Sequence, residues 1–443
     1  MKIELSEHFT YKKLLRFVLP SIIMMVFTSI YSVVDGLFVS NFVGKSAFAA
    51  VNLVMPILMG LSALGFMIGT GGSAIVAKTL GEKKPEKANE YFSMLIYVTL
   101  FGGIALALLG AVLIRPICTL FGASGSLLEQ CVLYGRISFI SLAPFMLENV
   151  FQSFFVAAQK PKLGLYVMLA AGITNMVLDY LFIAVLGFGI AGAAIATVCG
   201  ECIGGLFPLI YFSRKNSSLL HLGKAHFHGR ILLQACTNGS SELMTNLSSS
   251  IVNSLFNLQL MKLAGADGVA AYGTIMYVNF IFMAIYFGYS IGSAPIVSYN
   301  YGAANHSELK NMFGKSLRLV AIWGVALVLL AQLIATPLAR IFVGYDRDLF
   351  YLTRHGFLIA SMAFLISGYN VFASSFFTAL NNGLLSALIS FLRTLVFQLS
   401  AILILPNLLG IDGIWCSMAA AELLTLGVTL TCLITQRKKY HYA

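Results

Sequence analysis

The chain has 443 residues, 59% of them hydrophobic and only 10% charged, with a formal net charge of +11. Soluble domains carry about 25% charged residues, so this deficit excludes a soluble globular protein and points to a polytopic membrane protein. The positive balance is therefore read through the positive-inside rule and not as a nucleic-acid footprint, and no nucleic-acid partner is expected.

Seven cysteines, an odd number lying mostly in apolar stretches, do not make a secreted disulfide framework. The first apolar run is too long for a cleavable signal peptide, contains Pro20 and is not followed by a small-residue cleavage site. Twelve apolar segments are each long enough to span a bilayer as a helix, near 14–43, 47–78, 91–114, 130–158, 163–187, 190–213, 231–263, 268–299, 314–338, 350–380, 383–405 and 411–435. They lack the two-residue alternation of barrel strands, so an all-α fold is expected.

Within the first segment, Thr28 to Asp35 carries an acid. No lysine or arginine falls between Arg16 and Lys45. A carboxylate in hydrocarbon costs several kcal/mol, so Asp35 is expected to face an ion, a proton or a water cavity, unless Lys45 or water at the helix end neutralises it. The second and eighth segments end in glycine-rich stretches, Gly69 to Gly72 and Gly288 with Gly292, suited to close helix packing or to a hinge. Short polar pieces follow them, Glu82 to Asn89 and Asn305 to Lys310, and are expected to form surface helices.

Loops sort by charge. Twenty of the 28 basic residues lie on one side, in the loops around Lys12, Lys83, Lys160, Arg214, Lys315 and Lys438. Both termini and the central loop are thus expected in the cytoplasm. The chain also repeats itself. A constant shift of 221 places Gly81 on Gly302, Pro116 on Pro337, Gly135 on Gly356, Gly189 on Gly410 and Glu201 on Glu422. Six spans per copy give parallel repeats related by an axis along the membrane normal. The expected organisation is an N-lobe, 1–213, a cytoplasmic linker, 214–230, and a C-lobe, 231–443: two pseudo-symmetric six-helix bundles with a cleft between them.

The same shift shows what is not repeated. Asp35 maps to Phe256, Asn175 to Val396, Asp179 to Ser400 and Thr197 to Met418. Asn175 and Asp179, four apart, share a helix face. Two carboxylates, an amide and a hydroxyl suit a small hard cation such as Na⁺; alternatively one carboxylate takes a proton because like charges held close do not both ionise. In the seventh span Glu242, Asn246, Ser249, Asn253 and Asn257 recur at helical spacing as a polar stripe, read as cavity lining or as interhelical hydrogen bonding. Glu148, Asn149 and Gln152 place a similar patch on the fourth span. Glu201 and Glu422, being repeat-equivalent, are expected to be structural, at matching helix ends. Arg136 and Arg393 are expected to pair with carboxylates or to snorkel. Methionines such as Met25, Met55, Met59, Met276 and Met283 are candidates for an adaptable cavity wall.

Other chemistry finds no support. Cys199-Gly200-Glu201-Cys202 has redox spacing but lies in an apolar span. Gly44-Lys45-Ser46 and Gly314-Lys315-Ser316 lack the earlier glycine of a phosphate loop. None of the seven histidines lies deep in a span, which argues against a membrane-embedded enzyme.

Pro20 and Asp35, Ala50-Val51-Asn52 with Pro56, Pro144, the Asn175–Asp179 pair and Gly192 to Thr197, on a duplicated six-span plan, resemble the MATE (multidrug and toxic compound extrusion) family. The second half, with Glu242, Asn246, Ser248 to Asn253 and Gly268 to Tyr272, is similar to its MepA-like bacterial branch. The resemblance implies a V-shaped, monomeric exporter of drugs or toxic organic cations in the bacterial cytoplasmic (inner) membrane, without an organic cofactor and contributing to antibiotic resistance. It would work by alternating access, driven by H⁺ or Na⁺. By the same resemblance Asp35, Asn175, Asp179, Thr197 and Tyr31 form the cation site, and the first span bends at Pro20. Thr28 and Gln152 depart from the family pattern, and Ser367 to Asn370 lacks the C-lobe acid of the NorM-like branch. The alternative within the same superfamily is a flippase for a lipid-linked precursor, which would need several intramembrane basic residues.

Overall fold

The apolar segments and their proline and glycine punctuation set the helices. The structure, a computed structural model, describes residues 3–38 and 42–443. Lys2 and the Lys45 side chain lie outside what is described. In chain order the helices are α1 Tyr11–Phe38, α2 Lys45–Gly81, α3 Pro85–Leu120, α4 Gly125–Phe139, α5 Leu142–Ala157, α6 Pro161–Asp179 and α7 Gly189–Ser213. The second half continues with α8 Gly229–Gly302, α9 His306–Val343, α10 Arg347–Ala360, α11 Phe364–Ala379, α12 Gly383–Phe391, α13 Gln398–Leu409 and α14 Ile411–Tyr440. No strand occurs among the described residues. Prolines at the first turn open α3 and α6, where a missing N–H costs nothing. Asn305, Asp346 and Asn382 cap α9, α10 and α12 by accepting backbone N–H bonds.

Among the described residues ten helices are long and apolar enough to cross a bilayer, and α4 with α5, bent by 55°, make an eleventh crossing. Helix α8 has 74 residues. Straight, it would reach roughly 110 Å, more than three times a hydrocarbon core of about 30 Å. It turns at Gly265 (φ 62°, ψ −148°), so it holds two crossings and the total is twelve. The fourth crossing breaks at Ile140–Ser141, immediately before the first turn of α5, which carries Pro144.

The repeat is visible in the backbone. Helices α2 and α8 end 221 residues apart, at Gly81 and Gly302, and α3 and α9 begin 221 apart, at Pro85 and His306. Left-handed residues recur at the same shift: Gly44 with Gly265, Lys83 with Ala304, and Gly189 with Gly410. One buried cluster fills the second half and two fill the first. The N-terminal segment crosses over, since Leu5, Phe9, Leu14, Phe17 and Val18 belong to the second-half cluster. The linker lies on the first half, where His221 N–H donates to Asn89 at 2.7 Å and Gly223 N–H to Ser93 at 3.0 Å.

The polar pieces after Gly81 and Gly302 are not separate surface helices. They are the turn and first turns of α3 and α9, because Pro85 and the Asn305 cap start continuous helices there.

The halves meet along a seam toward the end of the bundle that carries Lys78 and Lys83. A Cβ on Gly71 would stand 2.0 Å from the Ala235 carbonyl oxygen, and one on Gly239 1.9 Å from that of Met67. Likewise Gly81 abuts the Tyr299 carbonyl and Gly302 that of Lys78, both at 2.0 Å from the missing Cβ. The pair 78–302 is the pair 299–81 exchanged between repeats, so the seam obeys the pseudo-two-fold. Only glycine permits such backbone approach. Here the glycines of the second and eighth crossings pack.

Candidate functional site

Helix α1 brings Asp35 toward α6 and α7. On the way Thr28, Ser29 and Ser32 donate their hydroxyls back to the carbonyls of Met24, Met25 and Thr28, at 2.9, 3.1 and 2.9 Å, a pattern that often accompanies helix bending. Pro20 lies in the unbroken helix α1, one turn before Met24. Asp35, Tyr31, Asn175 and Thr197 line one pocket of about 550 Å³, counting space open to its surroundings. Asp179, fully buried, lies behind it, and its carboxyl comes within hydrogen-bonding reach of Asp35. Both Asp179 oxygens, Asp35 Oδ1 and Asn175 Oδ1 lack a hydrogen-bond partner among the described residues. Asp179 ends α6, where the chain passes into a π-helical turn, Tyr180–Val185. Such turns are frequent at functional sites.

The five residues expected to act together are thus neighbours. Two further acids share their pocket. Glu148, expected on a substrate-facing patch of the fourth crossing, lines it instead, and so does Glu201. Glu148 is 4% exposed, forms no hydrogen bond or ion pair among the described residues, and faces the bare backbone of Gly204. Glu201 is mid-helix, not at a helix end, and accepts a hydrogen bond from the Ser141 hydroxyl. No basic side chain lines the pocket among the described residues. Gln152 is buried outside the pocket lining, its Oε1 without a partner.

The second half treats the equivalent glutamate differently. Glu422 Oε1 lies 2.8 Å from Arg393 Nε and Nη2, and Oε2 accepts from Asn370 Nδ2 at 2.7 Å. Thr429 donates to Asn370 Oδ1 at 2.8 Å. The counterpart of Arg393 in the first half is Gly172, where a Cβ would strike the rings of Phe27 and Tyr31. The counterpart of Asp35, Phe256, stacks on Tyr272 with centroids 4.9 Å apart. Glu422, like Glu201, is mid-helix. One half therefore neutralises its glutamate internally, and the other leaves four acids without a base among the described residues. The difference is written in the sequence, where the 221 shift sets Gly172 against Arg393. Arg136, by contrast, is exposed and forms no ion pair among the described residues.

Between the halves lies a larger cavity, about 1290 Å³ including space open to solvent. Met25, Phe66 and Thr70 line it from the first half and Glu242, Asn246 and Arg393 from the second. Asn253 lines an adjoining cavity and accepts the Tyr272 hydroxyl at 2.7 Å. Asn257 is exposed and lines neither, so the expected stripe stops one turn short: that turn of α8 faces outward near Gly265. No group of three or more His, Cys, Asp or Glu residues is arranged to hold a metal among the described residues; a site of two carboxylates, an amide and a hydroxyl falls outside that description.

The MatE family model matches twice, over residues 20–181 and 243–403, once in each half. The chain belongs to the MatE family. Its MATE relatives include the multidrug export protein MepA of Staphylococcus haemolyticus, 24% identical over 94% of this chain and 92% of that protein. MepA of Staphylococcus saprophyticus is 25% identical over 93% and 91%. Among solved structures, an outward-facing multidrug resistance MATE transporter of the MOP superfamily superposes with a TM-score of 0.92 at 22% identity, covering 99% of this chain and 98% of the other. A MATE structure in the bent conformation gives 0.87 at 23% identity, covering 98% and 97%. The fold is that of a MATE transporter, many times membrane-spanning.

Proposed function

We propose that the chain is a secondary multidrug exporter of the bacterial inner membrane, exchanging organic compounds, often cationic, for H⁺ or Na⁺ through alternating access. The single observation that carries this reading is the Asp35–Asp179 pair: two neighbouring carboxyls, of which both Asp179 oxygens and Asp35 Oδ1 meet no N–H, hydroxyl or basic group among the described residues. Buried acids in that condition call for a proton or a cation. Asn175 Oδ1 supplies a further free oxygen, and Thr197, whose hydroxyl donates to the Ala193 carbonyl at 3.1 Å, lines the same pocket. Export in the MepA relatives supports the substrate class.

The two-lobed seam supplies the moving part. Its glycine contacts close the end bearing most basic residues, which the positive-inside rule makes cytoplasmic. Cation entry at Asp35 repacks α1, already loosened by Pro20 and three hydroxyl back-bonds, against the cavity wall that Met25 contributes. Drug and cation then bind with opposing preference, which is all that exchange requires.

A flippase for a lipid-linked precursor is not favoured. Arg393 is held by Glu422 and Arg136 is exposed, which leaves no cluster of free intramembrane cations for a pyrophosphate among the described residues. The test is efflux of a fluorescent organic cation from proteoliposomes under an imposed Na⁺ or pH gradient. At least one gradient should accelerate efflux; a rate indifferent to both contradicts exchange.

A further inference from the structure

A separate pocket of about 590 Å³, including space open to its surroundings, lies where α1 and the start of α6 come together. Arg16, Lys160 and Lys162 line it, and no acid does among the described residues. Arg16 and Lys162 are exposed and form no ion pair or side-chain hydrogen bond among the described residues. Lys160 Nζ donates to Ser217 of the linker at 2.9 Å, which leaves two of its three donors and places the pocket at the basic end of the bundle. The 19-residue helix α6 begins here, with Pro161 in its first turn, so the positive end of its dipole adds to the same field. Gln159, in a left-handed turn (φ 59°), also lines the pocket, and its buried Oε1 has no donor among the described residues. Three cations held round one space without a counter-ion repel one another, and an anion between them removes that cost.

The surroundings of the pocket are those of a lipid. Helices α1 and α6 pack against each other and run from it into the bilayer. Leu19 follows Arg16 by one turn and Tyr166 follows Lys162 by one turn, each on the same helix face as its cation. Both are exposed, at 51% and 62%. Cations at the interface with apolar and aromatic side chains one turn deeper suit a phosphate whose acyl chains lie along the helices. A free phosphate ester presents the same oxygens but has no chains to cover Leu19 and Tyr166. The pocket also spans the two halves: Ile3 and Phe17 of its wall belong with the second-half cluster and Leu163 with a first-half one.

We infer that this pocket is a binding site for one anionic phospholipid: Arg16, Lys160 and Lys162 hold its phosphodiester, and a headgroup hydroxyl donates to Gln159 Oε1. The ligand class is a lipid of the phosphatidylglycerol type, with one negative charge and a hydroxylated headgroup. Arg16 offers the planar fork that matches phosphate oxygens, and the two lysines act as point charges beside it. Bound there, the lipid touches both halves of the protein. The assignment does not depend on the export reading.

The experiment titrates the full-length protein in detergent with phosphatidylglycerol, with phosphatidylcholine of the same chains and with glycerol 3-phosphate, and counts bound molecules by native mass spectrometry. The wild type should bind one phosphatidylglycerol about tenfold or more tighter than phosphatidylcholine, and glycerol 3-phosphate far more weakly than either. Arg16→Gln/Lys162→Gln removes two exposed side chains that bond to nothing else described, so it should fold. It should lose about tenfold or more in affinity for phosphatidylglycerol, since a basic residue at a membrane surface is worth roughly a factor of five. Lys162→Gln alone should lose about fivefold. Lys87→Gln/Lys438→Gln, which removes the same charge from exposed positions elsewhere on the basic side, should stay within about twofold of wild type. Equal affinity in the pocket variant and the wild type overturns the inference, as does an equal loss in the Lys87/Lys438 variant, which would mean general attraction to a basic surface. Glycerol 3-phosphate bound as tightly as the lipid would overturn the lipid assignment in favour of a phosphate site. Gln159→Met should weaken phosphatidylglycerol by about fivefold and leave phosphatidylmethanol, a diester with no headgroup hydroxyl, unchanged; equal effects on the two would overturn the role of Gln159.

Discussion

Gly71 and Gly239 meet backbone to backbone across the seam between the two halves. A Cβ on either would lie 2.0 Å or less from a carbonyl oxygen of the opposite helix, Ala235 for the first and Met67 for the second. Backbone atoms cannot rotate out of the way as a side chain would. Gly239→Ala should therefore force α2 and α8 apart and favour the conformer open at this end. In a protein whose sole cysteine is Cys236, one turn away, a membrane-impermeant maleimide applied from the basic side should label the variant faster than its parent. Equal labelling rates would show that the helices absorb the methyl without parting.

The Arg393–Glu422 pair is largely buried, with side chains 12% and 10% exposed. Removing one member of such a pair costs about 3–5 kcal/mol, whereas replacing both by neutral groups costs much less. Arg393→Ala and Glu422→Ala should each lower the melting temperature of the purified protein more than Arg393→Gln/Glu422→Gln does. A double variant as unstable as the singles would mean that the pair is held by packing and not by charge compensation.

The N-terminal segment is tied to the second half through one acid. Glu308 Oε2 lies 2.7 Å from His8 Nδ1, and Oε1 accepts the Phe9 N–H at 3.0 Å and Asn311 Nδ2 at 2.7 Å. Lys315 Nζ holds the Phe9 carbonyl at 2.6 Å. Glu308→Ala should loosen residues 3–10 by about 1–3 kcal/mol, the cost of leaving buried donors unpaired. Trypsin cleavage at Lys12 and Lys13 should accelerate. Cleavage at the parental rate would mean that Phe9 and Leu5, buried in the second-half cluster, hold the segment unaided.

Sequence made the helical layout legible because glycine and proline punctuate it and because both halves use the same punctuation. Gly44, Gly189, Gly265 and Gly410 are all left-handed in the structure, and each stands at a turn between apolar runs. The bend between α4 and α5 was hidden, since hydropathy runs unbroken through Ile140 and Ser141. So was the pocket membership of Glu148 and Glu201. Composition tells that an acid lies in a span, but not which neighbour its face meets, and the neighbours here are Tyr31, Ser141 and Gly204, far away in sequence. The equivalence of Glu201 and Glu422 suggested a shared structural role. Their environments differ because one partner, Arg393, has a glycine for its counterpart.

The measurement that tests the account most directly is gradient-driven efflux of a fluorescent organic cation from proteoliposomes, with wild type, Asp35→Asn and Asp179→Asn compared at equal reconstitution. Each variant keeps the side-chain shape and removes one charge from the pair. The account predicts that both lose the acceleration by the gradient, by about tenfold or more, while still binding the dye. Wild-type acceleration in both variants would contradict it.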